Sequence, residues 1–422
     1  MRKLLLVFTL LVTTLFSNGT IEITKSVNKL TAIAVEDSTK ERKFDDISRK
    51  FYRLLVNDLT ILTHFEVKDS NQKTDYTSST SEFANRDMDY VLKFKIYQDD
   101  RGNLSCKTKI INVISKKVNF EKTYKITDKE LYPFLAHRII NDLNNHFGMA
   151  EVNWLTKYII FSRYTKPKHS EIVIADYTLT YLKVLVGSGL NLFPKWANNE
   201  QQEFYFTRYE NSMPTLYKMN ILTGALDKIL QTEGMLACSD VSKDGKKILL
   251  TMAPNGQPDI YLYNTETKIK RALTKYSGID VSANFIENDK KITFVSDRLG
   301  FPNIFAKDIQ EEKSAIEQLV YYGKNNNSCS SYNNYIVYSS RETENAFSSN
   351  TFNLHLISTD TNYVRRLTAT GINQFPKFSG DGESILFIKH FKKQSSLGII
   401  RLNYNKSFLF PLNVGKIQSI DW

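Results

Sequence analysis

Cysteine, proline, glycine and histidine are all scarce in this chain. Three cysteines in 422 residues, Cys106, Cys238 and Cys329, are an odd and widely spaced set that cannot make a disulfide scaffold. They read as small buried hydrophobes. Nine prolines and 17 glycines exclude a fibrous or low-complexity protein. The six histidines (His64, His137, His146, His169, His355 and His390) show neither HxH nor HExxH spacing, so no metal-hydrolase motif is present. His137 and His146 read as ordinary helix residues. A Gly-x-Ser-x-Gly nucleophile elbow is missing; the nearest string, Val186-Gly-Ser-Gly-Leu190, falls in a loop. Acidic doublets such as Glu311-Glu312 read as exposed turns. No catalytic residue, cofactor or metal site is expected, although oxygen ligands alone leave a bound cation open.

What is present suits a packed protein. Hydrophobic residues are 41% and charged residues 24%, and the length allows two or three domains. Tyrosine and phenylalanine, 23 and 26 residues, suit β structure. The formal charge is +11, without a dense basic run interleaved with aromatics, so nucleic acid is not an expected partner. Arg2 and Lys3 precede an uncharged apolar run from Leu4 to Phe16, and Ser17-Asn18-Gly19 supplies small residues for cleavage. The run is shorter than the ~20 residues that span a bilayer. Residues 1–19 therefore read as a signal peptide, without a following lipoprotein cysteine, and the mature chain (charge +9 without Arg2 and Lys3) as soluble and exported.

Residues 20–153 read as an α+β domain. Leu30–Val35 predicts a strand, and Phe44, Ile47, Phe51, Leu54 and Leu55 predict an amphipathic helix over 44–60. Phe65–Val67 predicts a short strand and 70–86 a polar loop. Tyr90–Ile96, Leu104–Val113 and Lys117–Ile126 predict a meander, turning first at Asp99–Gly102. Thr127 or Asp128 can cap a second helix, with Leu131, Phe134, Leu135, Ile139, Leu143 and Phe147 on one face and Gly148 ending it.

From residue 154 onward the chain repeats. Gly189, Gly234, Gly278, Gly323, Gly371 and Gly415 are separated by 45, 44, 45, 48 and 44 residues. Seven residues after each glycine stand Trp196, Val241, Phe285, Ser330, Phe378 and Trp422. An apolar strand follows each anchor, as in Tyr158–Phe161, Ile248–Leu250 and Ile385–Ile388. Pro214, Pro258 and Pro302 each open a Pro-x-apolar-aromatic tetrad, and basic outer segments such as Lys270–Thr274 and Arg365–Thr368 end the unit. Four short strands per unit of about 44 residues is the blade of a β-propeller. The array starts on a second-position strand, Lys157–Tyr164, and stops after a lone first-position segment, Ile417–Trp422. The fold class predicted is thus an α+β N-terminal domain followed by an all-β six-bladed β-propeller, residues 154–422, closed by the C-terminal strand.

Ser242-Lys-Asp-Gly245, Ser296-Asp-Arg-x-Gly300 and Pro302-Asn-Ile-Phe305 resemble the propeller repeats of the TolB family, periplasmic components of the Tol–Pal envelope system. Ile21–Thr24 with Ile33–Val35, and His137–Gly148 with Asp142 and Phe147, resemble its N-terminal segment, first strand and domain-closing helix. Ser330 in place of an aromatic anchor and the long segment 341–350 depart from the pattern. The resemblance implies a periplasmic, non-catalytic scaffold that supports outer-membrane invagination in cell division and envelope integrity. Its implied partners are the peptidoglycan-associated lipoprotein Pal, the inner-membrane protein TolA and other envelope proteins, and nothing points to oligomerisation. The TolA-binding arm would be the mature N-terminus, Ile21, Glu22, Ile23 and Thr24. The Pal face would comprise Leu190, Asn191, Met235, Leu236, Ile279, Asp280, Ile372 and Asn373, one or two residues after repeat glycines at one channel mouth. The alternative is a basic propeller that binds anionic glycan or cell-wall polymer directly, through Lys166-Pro-Lys168 and Lys389–Lys393.

Overall fold

The computed structural model describes residues 30–68, 73–78, 87–342, 350–361, 363–392 and 394–422. The expected signal peptide, Ile21–Thr24, most of the 70–86 loop, the centre of the 341–350 segment and Lys393 lie outside the described residues.

The N-terminal part carries β1 (Thr31–Asp37), α1 (Asp45–Leu62), β2 (Phe65–Lys68), β3 (Tyr90–Gln98), β4 (Leu104–Asn112), β5 (Val118–Ile126) and α2 (Tyr132–His146). Its sheet has the order β2-β1-β3-β4-β5, with β1 parallel to both neighbours and β3–β5 an antiparallel meander. Parallel pairing requires cover on both faces. Ala32–Asp37 are accordingly all buried. The apolar stripes of α1 (Phe51, Leu55, Leu59) and α2 (Leu135, Ile139, Leu143) share one core with Ile33, Val35, Leu92 and Phe94. Asp128 accepts the Glu130 N–H at 2.9 Å ahead of α2, and Gly148 (φ 65°) follows its end.

The remainder is strand. After a 3-10 turn at Asn153–Thr156 come β6 (Ile159–Lys166), β7 (His169–Ala175) and β8 (Leu182–Val186). Next are β9 (Leu190–Trp196), β10 (Glu203–Glu210), β11 (Met213–Asn220) and β12 (Leu226–Gln231). The following four are β13 (Leu236–Val241), β14 (Lys247–Met252), β15 (Asp259–Asn264) and β16 (Lys270–Ala272). Then come β17 (Asp280–Ile286), β18 (Lys291–Ser296), β19 (Asn303–Asp308) and β20 (Ile316–Gln318). β21 (Lys324–Tyr332), β22 (Tyr335–Arg341), β23 (Phe352–Ser358) and β24 (Val364–Arg366) precede β25 (Ile372–Phe378), β26 (Ser384–Phe391), β27 (Gln394–Arg401) and β28 (Lys406–Pro411). The last strand is β29 (Lys416–Asp421). Each run of four pairs antiparallel in chain order, and a single parallel pair, Phe352 with Ile372, joins the last two runs into one sheet. β29 pairs antiparallel with β6 in a sheet of order β29-β6-β7-β8.

The repeat glycines enter the first strand of each run. Gly234 has φ 71°, and a Cβ there would lie 2.2 Å from the Ala253 carbonyl oxygen. Gly415 has φ 86°, and its Cβ would lie 2.7 Å from the Tyr164 carbonyl oxygen. Close backbone approach and a left-handed conformation both require glycine here.

The N-terminal part is pinned to the strand array by a buried polar cluster inside a continuous core. His137 on α2 contacts Asp58 of α1 at 2.8 Å through Nδ1 and Asp176, in the β7–β8 turn, at 3.2 Å through Nε2. The Tyr177 hydroxyl donates to the other Asp58 oxygen. All four residues are fully buried. A neutral imidazole has one N–H, so a ring facing carboxylates on both sides carries both protons. Burial opposes that charge, but Asp58 and Asp176 outweigh it and push the pKa up to about 9. His137 is therefore a charged inter-element clamp rather than the ordinary helix residue the sequence suggested. His64, packed against Phe65 and Tyr404, is the opposite case: burial, then Arg401, lowers its pKa to about 4.

Gly234→Ala should destabilise the protein by about 1–3 kcal/mol from the left-handed backbone alone, with the clash adding to it. Gly256→Ala, equally left-handed but with no atom within 4 Å of its Cβ, should cost less in the same urea titration. His137 is bound more tightly to its proton in the folded state, so its stabilisation is complete below pH ~6.5 and lost as pH rises through about 9. Urea midpoints of the wild type should fall across that window, and those of His137→Gln should not. His64 should act in the opposite sense, with stability lost as pH falls from ~6.5 towards about 4.

Candidate functional site at the channel mouth

The first strands β9, β13, β17, β21, β25 and β29 converge on a cavity of about 120 Å³ lined by Phe193, Met235, Ser282, Ser328, Phe375 and Ser419 among others. Each of these strands shifts register against its partner near its middle. A bulge re-aims side chains by inserting an extra residue. Six residues after each repeat glycine stand Lys195, Asp240, Asn284, Cys329, Lys377 and Asp421.

These positions also tie neighbouring sheets together. Asp421 Oδ2 accepts the Trp196 N–H at 3.0 Å, and Asp240 Oδ2 accepts the Phe285 N–H at 2.8 Å. Their other oxygens hold Lys195 Nζ at 3.1 and 3.0 Å. Burial opposes the Lys195 charge, but Asp421 and Asp240 hold its pKa well above the usual lysine value. Ser330, which departs from the aromatic pattern, accepts the Phe378 N–H at 3.2 Å. A small hydroxyl thus serves the next run of strands where an aromatic would not.

Glycine-following residues divide into two sets. Leu190, Met235 and Ile372 are half-buried, and Ile279 is 43% exposed. Asn191, Leu236, Asp280 and Asn373 are completely buried, which corrects their expected role as surface contacts. Asn191 Nδ2 donates to the Ser170 and Ser188 carbonyls at 3.0 and 2.7 Å. Asn373 Nδ2 does the same to Phe352 and Thr370 at 2.9 and 3.0 Å. Asp280 takes two bonds of 2.9 Å from Arg298, whose guanidinium lies over Tyr276, Phe294 and Phe305. Leu236 belongs to the core between sheets. Recurrence of a polar residue at one offset signalled a structural bond, because buried backbone carbonyls must be satisfied.

Strands alternate direction, so the loops before β17 and β21 and the β18–β19 loop reach the same end of the array. They carry Ile279, Leu299, Phe301, Tyr321 and Tyr322, all exposed. The loops touch: Ile279 N–H donates to Asp297 Oδ1 at 2.8 Å, and Asn326 N–H to the Pro302 carbonyl at 2.8 Å. Contiguous exposed apolar side chains rimmed by polar groups mark interaction surfaces. Sequence reading missed Leu299, Phe301, Tyr321 and Tyr322; the adjacent tyrosines before Gly323 were the available signal.

Cys106, Cys238 and Cys329 are free and buried. Burial raises the pKa of each. Among the described residues no cluster of three or more His, Cys, Asp or Glu could hold a metal ion. No helix among them is long and apolar enough to cross a membrane.

Comparison with known proteins agrees with this architecture. A model of the TolB amino-terminal domain matches residues 19–119, and one of the TolB beta propeller domain matches 154–422. The Tol-Pal system protein TolB of Wolinella succinogenes is 46% identical over 407 residues, 96% of each chain. That of Helicobacter hepaticus is 42% identical over the full length of both chains. The crystal structure of TolB from Acinetobacter baumannii superposes with a TM-score of 0.76 over 93% of this chain and 97% of that one. At 19% identity it speaks for the fold alone. With both domain models matched in order and curated relatives aligned along nearly the whole chain, the protein belongs to the TolB family, the non-catalytic β-propeller component of the Tol–Pal system.

Proposed function

We propose that the protein is a periplasmic scaffold that joins Pal, on the channel-mouth face, to TolA, on the N-terminal segment Ile21–Thr24. On this reading residues 1–19 are removed on export, 20–153 form the N-terminal domain, and 154–422 form a ring of six blades. The β29–β6 pairing supports closure of that ring, since it would leave no free sheet edge between first and last blades. Supporting the envelope role in cell division is family membership in the Tol–Pal system.

The observation that carries the Pal assignment is the exposed cluster of Ile279, Leu299, Phe301, Tyr321 and Tyr322 at the mouth. Aromatic and aliphatic side chains in a polar surround form the desolvated centre of a protein interface. Leu190, Met235 and Ile372 extend it towards the axis. The glycan reading would use Lys166-Pro-Lys168 and Lys389–Lys393, of which Lys166, Lys168 and Lys392 are exposed.

Ile279→Asp combined with Phe301→Ala should weaken binding of a purified Pal-type lipoprotein domain at least tenfold, about 1.4 kcal/mol, with an unchanged melting temperature. Titration calorimetry checks this, and an unchanged affinity removes Pal from this face. Deleting residues 20–28 should abolish capture of purified TolA while leaving Pal binding intact. Retention of peptidoglycan that is lost at high salt, without either protein partner, would favour the glycan reading.

A further inference from the structure

Two of the channel-lining strands carry nearly the same string. Phe193-Pro194-Lys195-Trp196 ends β9, and Phe375-Pro376-Lys377-Phe378 ends β25. Both phenylalanines take φ 54°, and in both strands the register shifts across the Phe-Pro pair. The same local device therefore turns both lysines to the channel.

Their partners differ. Lys195 lies between two carboxylates on the neighbouring strands, as described above. The equivalent positions around it read Lys195, Asp240, Asn284, Cys329, Lys377 and Asp421, so Lys377 stands between a thiol and Asp421. Asp421 is already committed, through Oδ1 to Lys195 and through Oδ2 to the Trp196 N–H. Asn284 Nδ2 points its bonds at the Ser282 and Cys329 carbonyls. Among the described residues no acceptor lies within bonding distance of the Lys377 ammonium, which carries three donors. Burial, then the charge of Lys195, holds its pKa below the ordinary lysine value.

The space around Lys377 is built. It lines both the 120 Å³ cavity on the mouth side and a second cavity of about 170 Å³ beyond. On the mouth side Phe193, Pro194, Met235, Phe375, Pro376 and Ile420 form an apolar collar alongside Ser282, Ser328 and Ser419. At about 30 Å³ per water, each cavity takes a ligand of a few heavy atoms. An apolar collar over a cationic floor matches a molecule with a methylene stem and an anionic oxygen tip.

We propose that the channel is a binding site for a short aliphatic carboxylate, its oxygens accepting from Lys377 and its stem lying in the Phe-Pro collar. A metal cation is disfavoured because both available carboxylates, Asp240 and Asp421, are bound to Lys195, and with Lys377 the four side chains carry no net negative charge. Inorganic oxyanions satisfy the ammonium but leave the collar unfilled. The site shares Met235 with the proposed Pal-binding face, but its occupancy requires neither partner assignment.

The test uses the full mature chain at constant pH and ionic strength. Sodium butyrate should bind saturably in calorimetry and raise the melting temperature. Lys377→Met, with circular dichroism and melting showing a folded protein, should weaken butyrate binding at least tenfold; Lys377→Gln is the second variant should the first fail to fold. Inorganic phosphate should bind more weakly than butyrate. A glutamate-bearing hexapeptide that competes with butyrate, while its glutamine counterpart does not, assigns the natural carboxylate to a protein side chain; failure of the peptide to compete assigns it to a free acid. Absence of saturable butyrate binding to the wild type, equal binding by a folded Lys377 variant, or equal binding of phosphate would each overturn the proposal.

Discussion

The pairing of β29 with β6 is the contact on which the rest of the strand array depends. It joins residues more than 250 positions apart, and the Ser162 and Ser419 hydroxyls bond across it at 2.7 Å. The same short strand sends Asp421 to Lys195 and to the Trp196 N–H of the next sheet. Trp422 then donates its indole N–H to the Phe378 carbonyl at 2.7 Å and packs on Trp154. One terminal strand thus contacts the sheets on either side and the turn that leads in from the N-terminal part. The loop-closure entropy of so long a connection is large but grows only logarithmically with length, so one well-bonded strand can offset it.

Between successive runs of strands, the recurring device is a bulge followed by a polar side chain that accepts an N–H from the neighbouring first strand. Asp421, Asp240 and Ser330 do this for Trp196, Phe285 and Phe378. A buried N–H left unpaired would cost roughly 1–3 kcal/mol, so each of these acceptors is held in place by backbone demand as much as by charge. The same demand explains why Asn191 and Asn373 are internal. Their amides satisfy the Ser170 and Phe352 carbonyls of β7 and β23 and those of Ser188 and Thr370 just before β9 and β25, and the exposed positions are left to Ile279 and to the aromatic loops beside it. More exposed and fully buried side chains are therefore adjacent, one and two residues after Gly189, Gly234, Gly278 and Gly371.

The N-terminal part is joined to the array through charge in an apolar setting. His137, Asp58, Asp176 and Tyr177 form a closed set with the imidazolium between two carboxylates. Breaking such a buried set by removing one member leaves an uncompensated charge, which is costly, although the intact set contributes little over an apolar replacement. It supplies geometry: α1, α2 and the β7–β8 turn meet in one orientation. His64 against Tyr404 adds a neutral contact at a second point of the same surface.

Much of this architecture was legible along the chain, since its signals are local. Helix periodicity placed α1 and α2 to within a few residues, because side-chain burial on a helix repeats every turn. Glycine spacing placed the first strand of each run after residue 154, because only glycine tolerates the left-handed, close-packed entrance at Gly234 and Gly415. Tertiary structure alone decided which polar residues face outward. Asn191, Asp280 and Asn373 look like surface groups until the carbonyls and the Arg298 guanidinium that surround them are known. It likewise decided that His137 is charged and that Lys195 and Lys377, set in nearly identical strings, meet different neighbours. A side chain's partners across a sheet boundary lie about 45 residues away or more, and no local pattern encodes them.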